Sequence, residues 1–303
     1  MPVDPHEFSV PAWVRDGIGR MPRVSWIYTS GKGVKALALA RETGDLFVAD
    51  DDRGLARIDS RGELSYLTRL PRSARLVAIS DDGQWGSAVV DYGTLFRFDR
   101  GLKFVWETEL AEPCMAIAMA PFGYHMAAAL SDGATEILNE RKRRIAKFET
   151  VRPLASLEFC TQAPLLFGAA EHGLVGCYEL SGGAVWQERY WSNVGDMATT
   201  GDGDLLYLAG SAHGVQTLDG DGGTVGAYVV EGTVRRVACS FEPRRVVAST
   251  IERKLFVMDS QGDVIWNGDT PEDVVDIACN AFGDEVTVAL TSGEILRLDW
   301  GGV

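Results

Sequence analysis

The residues most suggestive of chemistry are three charges spaced 40 apart, Asp196, Arg236 and Asp276. Two carboxylates beside a guanidinium can hold it in place while its remaining N–H groups bind a polar ligand. The same three residues can also form a structural ion cluster that keeps a channel mouth hydrated. They are therefore a candidate binding site, with the structural cluster as the alternative.

A second candidate region is the loop of residues 190–193, with two histidines predicted on turns of the same face. An exposed tryptophan is a frequent anchor of protein contacts, although it can also pack locally against its own loop. The histidines have no third metal ligand and no defined acid–base partner in the sequence, so solvated turn residues are the alternative. The predicted partner or ligand residues are Trp191, Asn193, Asp196, Arg236, Asp276, His172 and His213, and we predict no catalytic residue and no metal site.

The elements that must position these residues repeat every 40 positions, which is typical of an array of identical supersecondary units. One register is mostly aromatic: Trp26, Tyr66, Trp106, Ala146, Trp186, Gly226 and Trp266. Another is mostly alanine: Ala38, Ala78, Ala118, Glu158, Ala198, Ala238 and Ala278. The residues that break these registers, Glu158, Ala146 and Gly226, are places where function could lie.

Each repeat contains four short runs rich in Val and Ile, separated by Gly, Pro and acidic turn residues. This pattern predicts four antiparallel strands, named a to d from the centre outward, and hence one blade of an all-β propeller. Residues 24–303 amount to seven units of 40. The last unit lacks strand d, and residues 23–28 match that strand in register, so we expect the N-terminal strand to complete the last blade and close the ring.

The segments Asp59–Tyr66, Glu179–Trp186 and Asp259–Trp266 resemble the tryptophan-docking repeats of quinoprotein-like (PQQ-like) β-propellers. The resemblance implies that the aromatic residue of one blade packs on a neighbouring blade, with its N–H bonded to backbone. The predicted blade-docking residues are Trp26, Tyr66, Trp106, Trp186 and Trp266. The chain is also similar to WD40 propellers, though less closely. It has no adjacent cysteine pair of the kind that quinoprotein dehydrogenases carry, so we expect no bound quinone and no other cofactor.

The formal net charge is −14, with 43 acidic and 29 basic residues, which argues against nucleic acid or a membrane surface as the main partner. Five cysteines without a metal-binding or paired spacing favour a reducing compartment, and the start of the chain does not have the pattern of a signal peptide. We expect a cytoplasmic location. Residues 1–22 form an N-terminal extension outside the repeats, which could pack on the propeller or bind a partner.

The leading hypothesis for function is a non-catalytic scaffold that binds a protein or peptide on the face made by the d–a and b–c loops. The alternative is a propeller hydrolase, lactonase or lyase, or a sensor of a small polar ligand, with its site at the channel mouth. Arg236 in the centre of the candidate site would repel a catalytic metal, which favours the scaffold. We expect the protein to be monomeric or part of a hetero-complex.

Overall fold

The computed structural model describes residues 10–190, 192–212 and 214–301, which form seven four-stranded antiparallel blades of a β-propeller. The predicted fold class is confirmed. Two predicted site residues, Trp191 and His213, lie outside the described residues. No helix in the described ranges is long and apolar enough to cross a membrane.

The strands of each blade follow one another from the channel outward. Blades 1 to 3 contain Val34–Leu39, Leu46–Asp50, Gly54–Ile58 and Leu64–Arg69; Ala74–Ile79, Trp85–Val90, Thr94–Asp99 and Phe104–Glu109; and Cys114–Met119, His125–Leu130, Ala134–Asn139 and Arg144–Glu149. Blades 4 and 5 contain Ser156–Phe159, Leu165–Ala169, Leu174–Glu179 and Ala184–Arg189; and Val194–Thr199, Leu205–Gly210, Gly214–Asp219 and Thr224–Tyr228. Blade 6 contains Val234–Cys239, Arg245–Thr250, Lys254–Asp259 and Val264–Asp269, and the first three strands of blade 7 are Val274–Cys279, Glu285–Leu290 and Glu294–Asp299.

The N-terminal strand Arg23–Thr29 is the outer strand of blade 7. It pairs antiparallel with Glu294–Asp299, from Arg23 opposite Asp299 to Thr29 opposite Glu294. The predicted ring closure is therefore confirmed. Closure pairs the edge strand of the last blade, which would otherwise offer unpaired backbone groups to other chains.

The described part of the extension, residues 10–22, packs along the outside of blade 6, and we call it the strap. It contains a short helix, Ala12–Arg15, and a two-residue strand, Ile18–Gly19, which adds a fifth strand to that blade. Val14 is completely buried in the apolar core shared by blades 6 and 7. The strap is thus part of the folded structure.

Three tryptophans tie successive blades together by the same hydrogen bond. The indole Nε1 donates to a turn carbonyl of the next blade, from Trp26 to Ser60 O (3.1 Å), from Trp106 to Glu140 O (3.0 Å) and from Trp186 to Gly220 O (2.7 Å). Each partner lies 34 residues further along the chain, so the contact follows the repeat. The bond satisfies an indole donor that the packing of the blades removes from water.

The other positions of this register are filled differently. Tyr66 departs from the predicted docking geometry, because its ring is 49% exposed and lies against the guanidinium of Arg57. Tyr228 serves the blade that has glycine at 226, since its hydroxyl donates to Ser260 O at 3.2 Å. Trp266 is fully buried between the rings of Trp13 and Trp300. The strap thus covers the docking residue that precedes the ring closure.

Candidate functional site

The a strands line a central channel that large aliphatic side chains narrow near its middle. These side chains are Leu37, Val77, Ile117, Leu157, Met197, Val237 and Ile277. We call the end at the d–a and b–c loops the upper end, and the opposite end the lower end. A cavity of about 200 Å³ lies towards the upper end, and one of about 270 Å³ lies towards the lower end, where the alanine register leaves space.

The structure brings Asp196, Arg236 and Asp276 together at the upper end, and we call them the charged trio. Asp196 accepts hydrogen bonds from the backbone N–H of Met197 at 2.9 Å and from Ser156 Oγ at 3.3 Å. Arg236 Nε donates to the carbonyl oxygen of Val275 at 3.0 Å and lies 3.9 Å from Asp276 Oδ1. The guanidinium is therefore held through a backbone carbonyl, with only a long ion pair to Asp276.

The position of the charged trio inside the channel raises the pKa values of its two carboxyl groups. Burial raises the pKa of Asp276 to about 6, opposed by the charge of Arg236 and reinforced by that of Asp196. Burial also raises the pKa of Asp196, against the opposing effect of Arg236 and its hydrogen bonds. Two further cations, Lys35 and Arg75, line the same cavity. The upper mouth therefore combines two carboxylates that are costly to ionise with a basic rim.

A cavity of about 590 Å³ lies on the upper face between blades 4 and 5, and we call it the 4–5 pocket. The described residues that line it are Arg152, His172, Arg189, Tyr190, Ser192 and Asn193. Two residues predicted as binding residues, His172 and Asn193, thus meet in one pocket, and Asp196 follows on the next strand. The trio itself does not line this pocket, so the predicted residues divide into two neighbouring sites.

Close contact between two loops shapes the 4–5 pocket. The backbone N–H of Tyr190 donates to Gly173 O at 2.8 Å, and a Cβ at Gly173 would collide with the carbonyl oxygen of Tyr190. Gly173 has φ of +82°, which also favours glycine at this turn. His172 Nδ1 lies 3.4 Å from Asn193 Oδ1, an arrangement in which the imidazole N–H donates to the amide oxygen.

Two arginines give the 4–5 pocket its charge. Within the described part of the chain, neither Arg152 nor Arg189 has a carboxylate oxygen within 4.0 Å, and no acidic side chain lines the pocket. Neither arginine is predicted as a site residue from the sequence, because the two lie at a loop and a strand end that do not share one repeat register. Only the three-dimensional structure shows that these two cations line one cavity.

The lower end is crossed by an ion-pair bridge that the sequence analysis did not find. Arg41 Nε lies 3.0 Å from Asp81 Oδ1, and its Nη1 lies 2.8 Å from Glu158 Oε1. The guanidinium also stacks over the ring of Phe241, with 4.5 Å from Cζ to the ring centroid. Glu158 Oε2 accepts the backbone N–H of Thr199 at 2.9 Å. The break in the alanine register is thus explained by an ion pair that spans the channel, which we call the Arg41 bridge.

Among the described residues, no group of three or more His, Cys, Asp or Glu side chains is arranged to hold a metal ion. The described cysteines, Cys114, Cys160, Cys177, Cys239 and Cys279, are all buried free thiols. No model of a known protein family matches this chain. Comparison with characterised proteins likewise gives no match.

Proposed function

We propose that the protein is a non-catalytic interaction scaffold, whose upper face binds an acidic segment of a partner protein in the 4–5 pocket. The observation that carries the proposal is the pair Arg152 and Arg189, which face one cavity without a carboxylate nearby in the described part of a chain of net charge −14. Guanidinium groups bind carboxylates through two parallel hydrogen bonds, which supplies both affinity and orientation. An acidic peptide is therefore the complementary ligand.

The surroundings of the pocket suit a peptide better than a lone ion. Tyr190, Ser192 and Asn193 line the cavity beside the two arginines, and its volume of about 590 Å³ accommodates several side chains. Val151, beside Arg152, is 94% exposed, so an apolar contact is available next to the charged one. Charged anchors beside apolar contacts are the usual composition of a protein interface.

A small-ligand sensor or an enzyme at the channel mouth remains the second candidate. The raised pKa of Asp276, about 6, is what favours it, because a carboxylic acid that titrates near neutrality can exchange a proton with a ligand. Asp276 lies in the trio and does not line the 4–5 pocket, so the two proposals depend on different residues.

We also propose that the repeats are of the quinoprotein-like, tryptophan-docking kind and that the protein is cytoplasmic. The matching hydrogen bonds of Trp26, Trp106 and Trp186 support the first proposal. Five buried, unpaired cysteines support a reducing compartment.

A random peptide library displayed on phage and selected on the immobilised protein tests the scaffold proposal. We expect enrichment of peptides rich in Asp and Glu, and at least a tenfold loss of their affinity in the Arg152→Glu/Arg189→Glu variant. The matched control is Arg141→Glu/Arg143→Glu, which makes the same charge change on exposed arginines of a c–d turn at the lower end. Equal binding to both variants, or enrichment of peptides without acidic residues, would contradict the proposal.

A further inference from the structure

A second basic cavity, of about 470 Å³, lies at the lower end between blades 6 and 7, where the strap meets the ring closure. We call it the seam pocket. Its cations are Arg20 from the strap and Arg244 and Arg245 from blade 6, and it also contains Ser260 and the backbone of Gly283 and Gly301. Three separate parts of the chain therefore contribute to a single cavity.

The backbone of the strap is fixed at this point. Arg20 N–H donates to Ile265 O at 2.9 Å, and Trp300 Nε1 donates to Arg20 O at 2.9 Å. Arg20 Nη2 reaches to the neighbourhood of Gly301, 3.9 Å from where a Cβ would stand on that residue. The backbone of Arg20 is thus fixed beside the seam pocket, and its exposed side chain lines that pocket.

The deepest cation of the seam pocket is incompletely paired. Arg245 is only 8% exposed, and its Nε donates to Gly283 O at 2.9 Å. In the described ranges, its terminal nitrogens have no hydrogen-bond partner, and neither Arg245 nor Arg20 has a carboxylate within 4.0 Å. Burial lowers the pKa of Arg245 and the charge of nearby Arg20 lowers it further, whereas the charges of Cys279, Asp259 and Asp284 raise it. A buried guanidinium next to a second cation is costly unless an anion compensates for it.

The two carboxylates that line the seam pocket are engaged elsewhere. Asp259 Oδ1 accepts the backbone N–H groups of Gln261 and Asp263, at 2.9 and 3.0 Å, within its own turn. Asp284 Oδ1 accepts a hydrogen bond from Asn280 Nδ2. Arg244 forms an exposed pair with Glu242 at 3.0 Å. The charges of Asp259 and Asp284 therefore act on Arg245 only from beyond 4.0 Å, and the guanidinium groups of Arg20 and Arg245 have no carboxylate partner among the described residues.

We propose that the seam pocket binds a phosphate group, either free or at the end of a small phosphate ester. The tetrahedral oxygens would accept hydrogen bonds from the guanidinium groups of Arg20 and Arg245 and from the hydroxyl of Ser260. Because Arg20 belongs to the strap and Arg245 to blade 6, a bound phosphate joins the strap to the propeller beside the closing blade. The ligand thereby stabilises the closed ring, since a ligand that binds only the folded state raises the free energy of unfolding.

Thermal unfolding and calorimetric titration of the full chain test this proposal, at constant ionic strength set with sodium chloride. The probes are inorganic phosphate and glycerol phosphate. We expect a saturable rise in the unfolding midpoint with at least one probe; preference for the ester would identify an organic phosphate, and preference for the inorganic ion would identify free phosphate.

Arg20→Met is the decisive variant, because that side chain is exposed and the strap is held by backbone contacts, so the variant should fold. We expect a loss of at least tenfold in phosphate affinity for Arg20→Met and a similar loss for Arg245→Met, with no change for the exposed control Arg141→Met. The proposal is overturned if Arg20→Met binds phosphate as the unaltered protein does, or if chloride at equal ionic strength produces the same midpoint shift.

Discussion

At each end of the channel an arginine lies beside two acidic residues, but the ion pairs differ. At the lower end, Arg41 contacts both of its carboxylates at 3.0 and 2.8 Å. At the upper end, Arg236 bonds a backbone carbonyl and lies 3.9 Å from its nearest carboxylate oxygen. An arginine with two acidic neighbours therefore forms a closed bridge at the lower end and a loosely paired cluster at the upper end.

The difference indicates which end is available for binding. The Arg41 bridge joins blades 1, 2 and 4 across the channel, and its carboxylates also accept hydrogen bonds from Thr161 and Thr199. Groups that are satisfied by one another have little to offer a ligand. Arg236 is only loosely paired with Asp276, and in the described part of the chain Arg152 and Arg189 have no carboxylate within 4.0 Å, so we expect a partner protein to be recognised at the upper face.

The largest expected effect comes from opening the ring, since both channel ends exist only while it is closed. Deletion of residues 1–29 removes strand Arg23–Thr29 and exposes the edge of Glu294–Asp299. We expect an aggregating protein with reduced β-structure, because an unpaired edge recruits other chains. Size-exclusion chromatography and circular dichroism measure this outcome. A soluble, fully folded monomer would contradict the closure mechanism.

The next largest effect is expected from replacing the arginine at one end of the channel, Arg41, and a smaller one from replacing Arg236 at the other end. Arg41→Met leaves Asp81 and Glu158 unpaired inside the channel, and we expect it to lower the free energy of unfolding by about 3–5 kcal/mol. Arg236→Met removes only a long ion pair and one hydrogen bond to a carbonyl, so a loss of about 1 kcal/mol is expected. Denaturant unfolding of the two variants measures both values. Equal losses would show that the two ends do not differ as described.

A smaller effect should appear in the pH dependence of stability. The pKa of Asp276 is about 6 in the folded protein, against an ordinary value of 3.8. Between pH 4 and 6 the carboxyl group of Asp276 is protonated in the folded protein but ionised in the unfolded chain. The contribution of Asp276 to the free energy of unfolding therefore falls as the pH rises. In Asp276→Asn this fall is absent, so the variant should gain about 1–2 kcal/mol relative to the unaltered protein between pH 4 and 7. A constant difference across that range would refute the assignment.

The features that could be predicted from the sequence are those that depend on the 40-residue period. Seven blades, the strand that closes the ring and the common position of Asp196, Arg236 and Asp276 all follow from a period that every blade must satisfy to pack against the next. The tryptophan hydrogen bonds, each to a carbonyl 34 residues further along the chain, follow from the same period.

What the repeat could not predict depends on irregular contacts. Arg41 and Glu158 stand at different registers and are 117 residues apart, so only the ring geometry brings them together. Arg152 and Arg189 line one pocket from two separate segments of the chain, and the shape of the loops around them is not determined by the period. The strap lies outside the repeats, so the period does not predict where it packs. It covers Trp266, because blade 7, whose strand d comes from the N-terminus, has no c–d turn that could cover this residue.

Hydrogen–deuterium exchange of the full chain, with and without a selected acidic peptide, tests the central claim most directly. Exchange should slow in residues 171–173 and 190–194 at the 4–5 pocket, and remain unchanged in the turns that contain Arg41 and Asp81. Protection confined to the lower end, or spread equally over both ends, would contradict the assignment of recognition to the upper face.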